Sequence, residues 1–318
     1  MVKTTEFMMS VAKKLETPRV LGNKTKTLAP TTIDLYVKTL ASLNGGAPYD
    51  DLKFLSDTAT IRKRIDAKPC NSRKMLYATL LTILAYYPNA KQEKVYRKGF
   101  EAAKTECLKI DPNIKTEKEK ANWMTWPEVL DIYGMYKEAA EQMEYLTRLN
   151  APNYRTMLRY MILSLYVLLP PGRSLDYVAM YVMPPNSKNQ LTDDRNWIDL
   201  RNKTLVFNKF KTVKDMGQEI VSYKDRPDFE EALNRFLKFN PDRHDTHPYK
   251  FLVHKNGSEI STSKQLHEIL NQIFAPKKIS STMLRHIYLS SKYDVAEMAE
   301  DAKLMRHSIE QQKEYLKI

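Results

Sequence analysis

The sequence predicts a mainly α protein with a small antiparallel β-sheet (α+β), divided into two domains. Three observations carry this expectation. Glycine is scarce, 8 of 318 residues. Several long segments repeat apolar residues every three or four positions, the period of one helix face. Only the stretch 195–222 changes to short apolar runs rich in β-branched and aromatic residues, the pattern of strands.

Residues 1–29 read as a basic N-terminal arm that ends in the loop-like LGNKTKTLAP. The first packed unit, 30–110, begins at Pro30. Thr31 or Thr32 can cap a helix with Ile33, Tyr36, Val37 and Leu40 on one face, ended by Asn44-Gly45-Gly46. A second helix follows Ser56-Asp57 with Ile61 and Ile65 inward. A third runs from Ser72 through Leu80 and Leu84 to the stop at Pro88. A fourth, about 90–108, sets Val95, Phe100 and Leu108 among Lys91, Lys94, Arg97, Lys98 and Lys104.

The charged run 111–120 reads as a linker, and 121–318 as the second domain. There, Trp126–Leu149 and Asn153–Leu169 read as long helices, the latter strongly apolar and ended by Pro170-Pro171-Gly172. Short strands are expected at 197–200, 204–207 and 219–221. Helical pattern returns at 226–239, 262–274, 281–291, 294–301 and 308–317. Trp123 and Trp126 read as packing residues.

Composition narrows the function. Lysine and arginine total 51 against 38 acids, a net +13, with a pI near 9.4. That surplus points to a polyanionic partner. No apolar run approaches the ~20 residues of a membrane span. The start, MVKTTEFMMSVAKKLE, is interrupted by charge before it could form a signal-peptide core. Cys70 and Cys107 cannot build a disulfide framework and suit a reducing, intracellular setting. A basic membrane-surface role is disfavoured because the lysines are spread through globular segments. The cluster Arg243-His244-Asp245-Thr246-His247 with His254 lacks a nearby cysteine and reads as a loop, so no metal is expected.

Four segments hold basic residues in a telling order. LLPPGRSLDYVAMYV places Arg173 at a helix start directly after a breaker, and FNKFKTVKDMG is a lysine-rich turn leaving a strand. SSTMLRHIYLSS carries Arg285 and His286, and LMRHSIEQQKEYLKI sets His307 eight residues before Tyr315. In order and spacing these segments resemble the tyrosine recombinase (phage-integrase) family. Its pattern is an arginine at a helix start, a hairpin lysine, an H-x-x-R helix, a histidine or tryptophan, and a late tyrosine. The PPGRSLDY and LRHIYLSS forms look closer to integrases of eukaryotic viruses and mobile elements.

The resemblance implies that Arg173 and Arg285 are the two phosphate-gripping arginines and His307 the late histidine. It assigns Lys211 as the hairpin lysine, with Lys209 and Lys214 as close competitors, and Tyr315 as the nucleophile. Thr282 departs from the pattern, standing where the family usually has histidine or lysine, which leaves open what deprotonates the tyrosine. Only Leu316-Lys317-Ile318 follow the tyrosine in this sequence. By the same resemblance, 30–110 looks like the family's helical core-binding (SAM-like) DNA-clamp domain and 121–318 like its catalytic domain.

The implied activity is site-specific recombination or integration through a 3′-phosphotyrosyl intermediate. The implied assembly is a C-shaped clamp on double-stranded DNA, with four protomers joining two sites. Lys91, Lys94, Arg97, Lys98, Lys277 and Lys278 are the expected phosphate contacts. No cofactor is expected, and the sequence holds no G-x-x-x-x-G-K-[ST] loop. Alternatives are a type IB topoisomerase, which uses a similar residue set on one strand, and an inactive DNA-binding relative.

The chemistry fits these residue types. Only roughly 0.1% of a free tyrosine, of pKa near 10, is phenolate at pH 7. Attack on a phosphodiester builds negative charge that rigid guanidinium forks stabilise.

Overall fold

The computed structural model describes residues 4–21, 24–111, 113–291, 301–306 and 308, leaving aside the side chains of 20, 21, 24–26 and 215. The chain forms two compact units, Met1–Asp111 and Pro112–Ile318.

Among the described residues the first unit has five α-helices and a two-stranded antiparallel ribbon. Helix α1 (Glu6–Leu15) is capped by Thr5 and buries Met8, Val11 and Leu15, one stripe at three- and four-residue spacing. These side chains join the unit's core with Val37, Leu40 and Leu80. Residues 6–15 therefore do not form the arm expected of 1–29, because the apolar stripe, masked in sequence by the neighbouring lysines, packs inward. Strands β1 (Arg19–Leu21) and β2 (Lys24–Lys26) follow.

Helix α2 (Pro30–Leu43) starts with Pro30 at its first turn and Ala29 as its cap. Proline's fixed φ replaces the expected threonine cap. After a 3-10 turn at Lys53–Ser56 come α3 (Thr58–Asp66), capped by Asp57, α4 (Cys70–Tyr86) and α5 (Ala90–Leu108), capped by Asn89. Helices α4 and α5 meet where Gly99 faces the Tyr77 ring; a Cβ there would lie 2.5 Å from the ring. Tyr77 donates to Asp66 Oδ1 at 2.7 Å and Tyr96 to the Leu55 carbonyl at 2.6 Å, so both buried phenols keep a polar partner.

The second unit begins with α6 (Glu117–Asn122), which starts inside the stretch read as a linker and runs past its end, and Thr116 and Glu119 form a reciprocal capping box there. Helix α7 spans Trp126–Glu141. It stops short of the expected Leu149: the Glu144 carbonyl takes Lys238 Nζ as donor. Helix α8 (Ala151–Val167) starts earlier than the expected Asn153 because Asn150 caps it and Pro152 is tolerated in the first turn. Ten of its residues are buried, which makes it the central strut of this core.

Next come α9 (Ser174–Tyr177), β3 (Tyr181–Met183), β4 (Trp197–Asp199), β5 (Thr204–Phe207), α10 (Val213–Met216) and β6 (Glu219–Ser222). Then follow α11 (Pro227–Lys238), β7 (Tyr249–Lys250), α12 (Ser263–Ile273) and α13 (Ser281–Ser290). A helical turn occupies 301–304.

The sheet order is β6-β5-β4-β3-β7. It is mixed, which corrects the antiparallel expectation: β3 pairs parallel to β4, with Tyr181 opposite Trp197, while the other pairs are antiparallel. A parallel neighbour needs a crossover of about a dozen residues, and 184–196 supply it. Strands β3 and β7 are absent from the expected set because two or three residues leave too little alternation to be seen in sequence. The mainly α fold holds, with the small sheet in the second unit and the unexpected β1–β2 ribbon in the first. The expected helices 294–301 and 308–317 lie almost wholly outside the described residues.

His244 closes its own turn, its Nδ1 accepting from the backbone N–H of Thr246 and His247 at 3.2 and 3.1 Å. Among the described residues no helix is long and apolar enough to cross a membrane.

Gly99→Ala is expected to destabilise the first unit by about 1–3 kcal/mol through overpacking, despite alanine's helix propensity advantage of about 1 kcal/mol. All three tryptophans lie in the second unit. The loss therefore reads as an earlier circular-dichroism transition in urea with no change in tryptophan fluorescence.

Candidate functional site

The site is built where α8 ends. Pro170-Pro171 cannot continue the helix, and Gly172 lets the chain pass close to its neighbours. A Cβ at 172 would lie 2.7 Å from the Tyr177 hydroxyl and 2.8 Å from Arg306 Nη2. Arg173, half-buried, is the N-cap residue of α9, and its backbone N–H donates to Asp176 Oδ2 at 2.7 Å.

That same carboxylate oxygen accepts from Arg306 Nη2. Both partners are buried, Asp176 0% and Arg306 2% exposed. The Arg306 guanidinium also lies over the Phe207 ring of β5, 3.8 Å from its centroid, and its backbone takes a left-handed φ of 58°. Such a buried pair stabilises little on net, but removing one partner strands a charge.

The Arg306 carbonyl collects two further groups. Thr212 Oγ1 donates to it at 2.8 Å, and Arg173 Nη1 reaches it at 3.5 Å. Thus the start of α9, the β5–β6 connection and the turn at 305–306 meet at one backbone oxygen. Lys211 is exposed, immediately before Thr212. Lys209 is exposed too, its backbone N–H and carbonyl held by Asn196 at 2.7 and 2.8 Å, and Lys214 is also exposed.

Arg285, 1% exposed, sits one turn into α13. Its guanidinium acts electrostatically on the Tyr177 phenol: burial pushes that phenol up, while Arg306 and, more weakly, Arg285 oppose the shift. The starts of α9 and α13 are joined through Ser174 and Ser281, whose hydroxyl oxygens are 2.7 Å apart. His267 of α12 touches both, its Nε2 lying 2.7 Å from Ser174 Oγ and 3.2 Å from Ser281 Oγ. Burial lowers the His267 pKa.

Of the residues expected from sequence, the fold brings Arg173, Arg285 and the Lys211-Thr212 turn around Asp176, Tyr177 and Arg306. Thr282 is exposed at the second position of α13. His307 and Tyr315 lie outside the described residues. On α5, Lys91, Lys94, Arg97 and Lys98 are exposed, with Arg97 paired to Glu93. Lys278 is exposed, whereas Lys277 Nζ donates to the Trp123 carbonyl. Sequence reasoning missed Asp176, Arg306 and His267. The three-residue spacing from Arg173 to Asp176 resembles a helix-capping pattern and could have revealed the first; nothing local marks the other two.

No family model matches the chain, and no curated protein matches it. Solved structures similar to it include two recombinases. XerA recombinase is 15% identical, with 92% of this chain and 88% of that chain covered and a TM-score of 0.36. XerH site-specific recombinase, bound to difH substrate in a pre-cleavage complex, is 13% identical, with 90% and 77% covered and a TM-score of 0.38.

Asp176→Ala is expected to destabilise the second unit by about 3–5 kcal/mol, the cost of stranding a buried partner charge. Tryptophan fluorescence in urea, which reports this unit, provides the measurement.

Proposed function

We propose that this chain is a site-specific DNA recombinase or integrase that cuts and rejoins duplex DNA through a covalent bond to Tyr315. One observation supports the reading above the others. Three segments far apart in sequence, carrying Arg173, Lys211-Thr212 and Arg285, gather around one buried cluster that also anchors the residue preceding His307. Phosphate chemistry needs such a gathering of fixed donors, and a chance distribution of surface arginines does not produce it.

In the proposed reaction the Tyr315 phenol oxygen attacks the scissile phosphorus. The bond from phosphorus to the 5′-oxygen breaks, and that oxygen leaves with a proton supplied by Lys211. Arg173, Arg285 and His307 hold the non-bridging oxygens as charge develops on them. The 3′-phosphotyrosyl bond conserves the energy of the cut linkage, so attack by a 5′-hydroxyl reseals DNA without ATP or metal. Thr282 does not titrate near neutral pH, so the proton of Tyr315 must pass to another group. Of the three lysines in the β5–β6 connection, Lys211 is favoured because its neighbour Thr212 is tied to the Arg306 carbonyl.

Double-stranded DNA is the proposed partner, with four protomers on two sites in the synaptic complex. The exposed lysines of α5 and Lys278 would bind phosphates in a sequence-independent manner.

With a pool of nicked duplexes of randomised sequence, denaturing gels are expected to show a DNA-linked protein whose adduct maps to Tyr315. The adduct should form in EDTA and vanish in Tyr315→Phe. An adduct that persists in Tyr315→Phe, or no adduct from the wild type, would overturn the reading. Replacing Lys91, Lys94 and Lys98 with alanine should flatten the salt dependence of duplex binding by about 0.9 in log–log slope for each phosphate that is no longer neutralised. Titrations at several salt concentrations measure it.

A further inference from the structure

We infer that His267 is a positioning residue for the phosphate cradle, acting through Ser174 and Ser281; this rests on the function proposed above. Ser174 follows Arg173 directly, and Ser281 precedes Arg285 by one helical turn. The two guanidiniums proposed to grip the scissile phosphate are thus carried by the first turns of two helices, α9 and α13. Nothing in the covalent chain holds those turns together, since 107 residues separate the two serines.

What does hold them is a triangle of three polar side chains. Ser174 Oγ lies 2.7 Å from Ser281 Oγ and 2.7 Å from His267 Nε2, and the imidazole reaches Ser281 Oγ at 3.2 Å. Both serines are buried, at 4% exposure each. Beneath them is Tyr166, whose phenol is held well above its usual range by burial and is drawn back down by the two serine hydroxyls. Their mutual bond uses one serine proton and leaves the other serine's proton to find an acceptor. The imidazole Nε2, from a third helix, gives the triangle its second hydrogen bond, so α9, α12 and α13 share one polar junction. In such surroundings an unfilled hydrogen-bonding position costs free energy, so the serines cannot slide apart without loss while His267 is in place.

Apolar contact cannot supply this precision. Leu266 and Leu270 of α12 are also buried, yet packing tolerates small lateral shifts that directional hydrogen bonds do not. A group that transfers a phosphoryl unit feels such shifts sharply, because a 1 Å misplacement costs on the order of 10²-fold in rate. His267 does not face the reacting atoms in this scheme. It fixes the distance between the helix starts from which Arg173 and Arg285 extend.

The test uses the full chain with His267→Leu, which keeps bulk and removes the ring nitrogen, and His267→Gln, whose amide can reach the Nε2 position. Three quantities are measured: adduct formation under single-turnover conditions on the nicked duplex pool, affinity for intact duplex, and the urea midpoint from tryptophan fluorescence. His267→Leu is expected to slow adduct formation by about 10- to 100-fold with duplex affinity unchanged, and His267→Gln to restore most of the rate. The inference is overturned if His267→Leu cuts at the wild-type rate. It is equally overturned if rate and affinity fall together in proportion to unfolded protein, or if His267→Gln fails like His267→Leu while remaining folded.

Binding of inorganic phosphate, followed by ³¹P line broadening, separates this inference from the function reading. If the wild type forms no adduct yet binds phosphate, and His267→Leu binds it more weakly than His267→Gln, the cradle stands and the recombinase reading falls. If the three proteins bind phosphate alike, or none binds it, the positioning role falls.

Discussion

The buried contact between Asp176 and Arg306 is the constraint on which the rest of the site depends. Asp176 Oδ2 receives the backbone N–H that starts α9 and the guanidinium of Arg306 from the far end of the chain. One oxygen therefore sets both the entry of α9 and the seat of the turn at 305–306. A charged pair removed from water gains little net stability, so its value here is geometric. It defines where a segment remote in sequence must lie, and the ring of Phe207 beneath the guanidinium leaves that segment little room to lie elsewhere.

The electrostatics of the cluster follow. Three guanidiniums, from Arg173, Arg285 and Arg306, lie around Tyr177 and the buried Asp176, and a second buried carboxylate, Asp301, belongs to the segment that carries Arg306. Arg306 is committed to Asp176, and its carbonyl faces Arg173 and Thr212. A region with more positive than negative charge favours an incoming anion, and the low-dielectric walls of the second unit's core strengthen that preference. Burial of Tyr177 keeps its phenol protonated, so it remains a neutral hydrogen-bonding group beside Gly172 and does not cancel the positive field.

Much of the fold is legible in sequence, for identifiable reasons. Helices α5 and α8 are readable because their apolar spacing persists over several turns and because the Pro170-Pro171-Gly172 break ends the latter. Helix α1 is obscured by the lysines along its polar face, although Met8, Val11 and Leu15 are correctly spaced. Strands β3 and β7 are too short to show a period of two, and their existence depends on pairing with partners along the chain. The end of α7 is unreadable for a related reason: the Glu144 carbonyl finds its donor on α11, a contact absent from any local window.

What the residues by themselves determined about this protein is chemical inventory and local form: a strongly basic chain, mostly helical, with Arg173 behind a helix breaker, Arg285 within an apolar helix and a lysine-rich turn between strands. Those properties follow from composition and from the three- to four-residue period, which involve near neighbours only. Tertiary structure alone decided that these cations share a region, that Asp176 and Arg306 tie it together, and that His267 spans α9 and α13. The Asp176–Arg306 and Ser174–His267 contacts join groups 130 and 93 residues apart, and no pattern within a helix or strand encodes a meeting at that range.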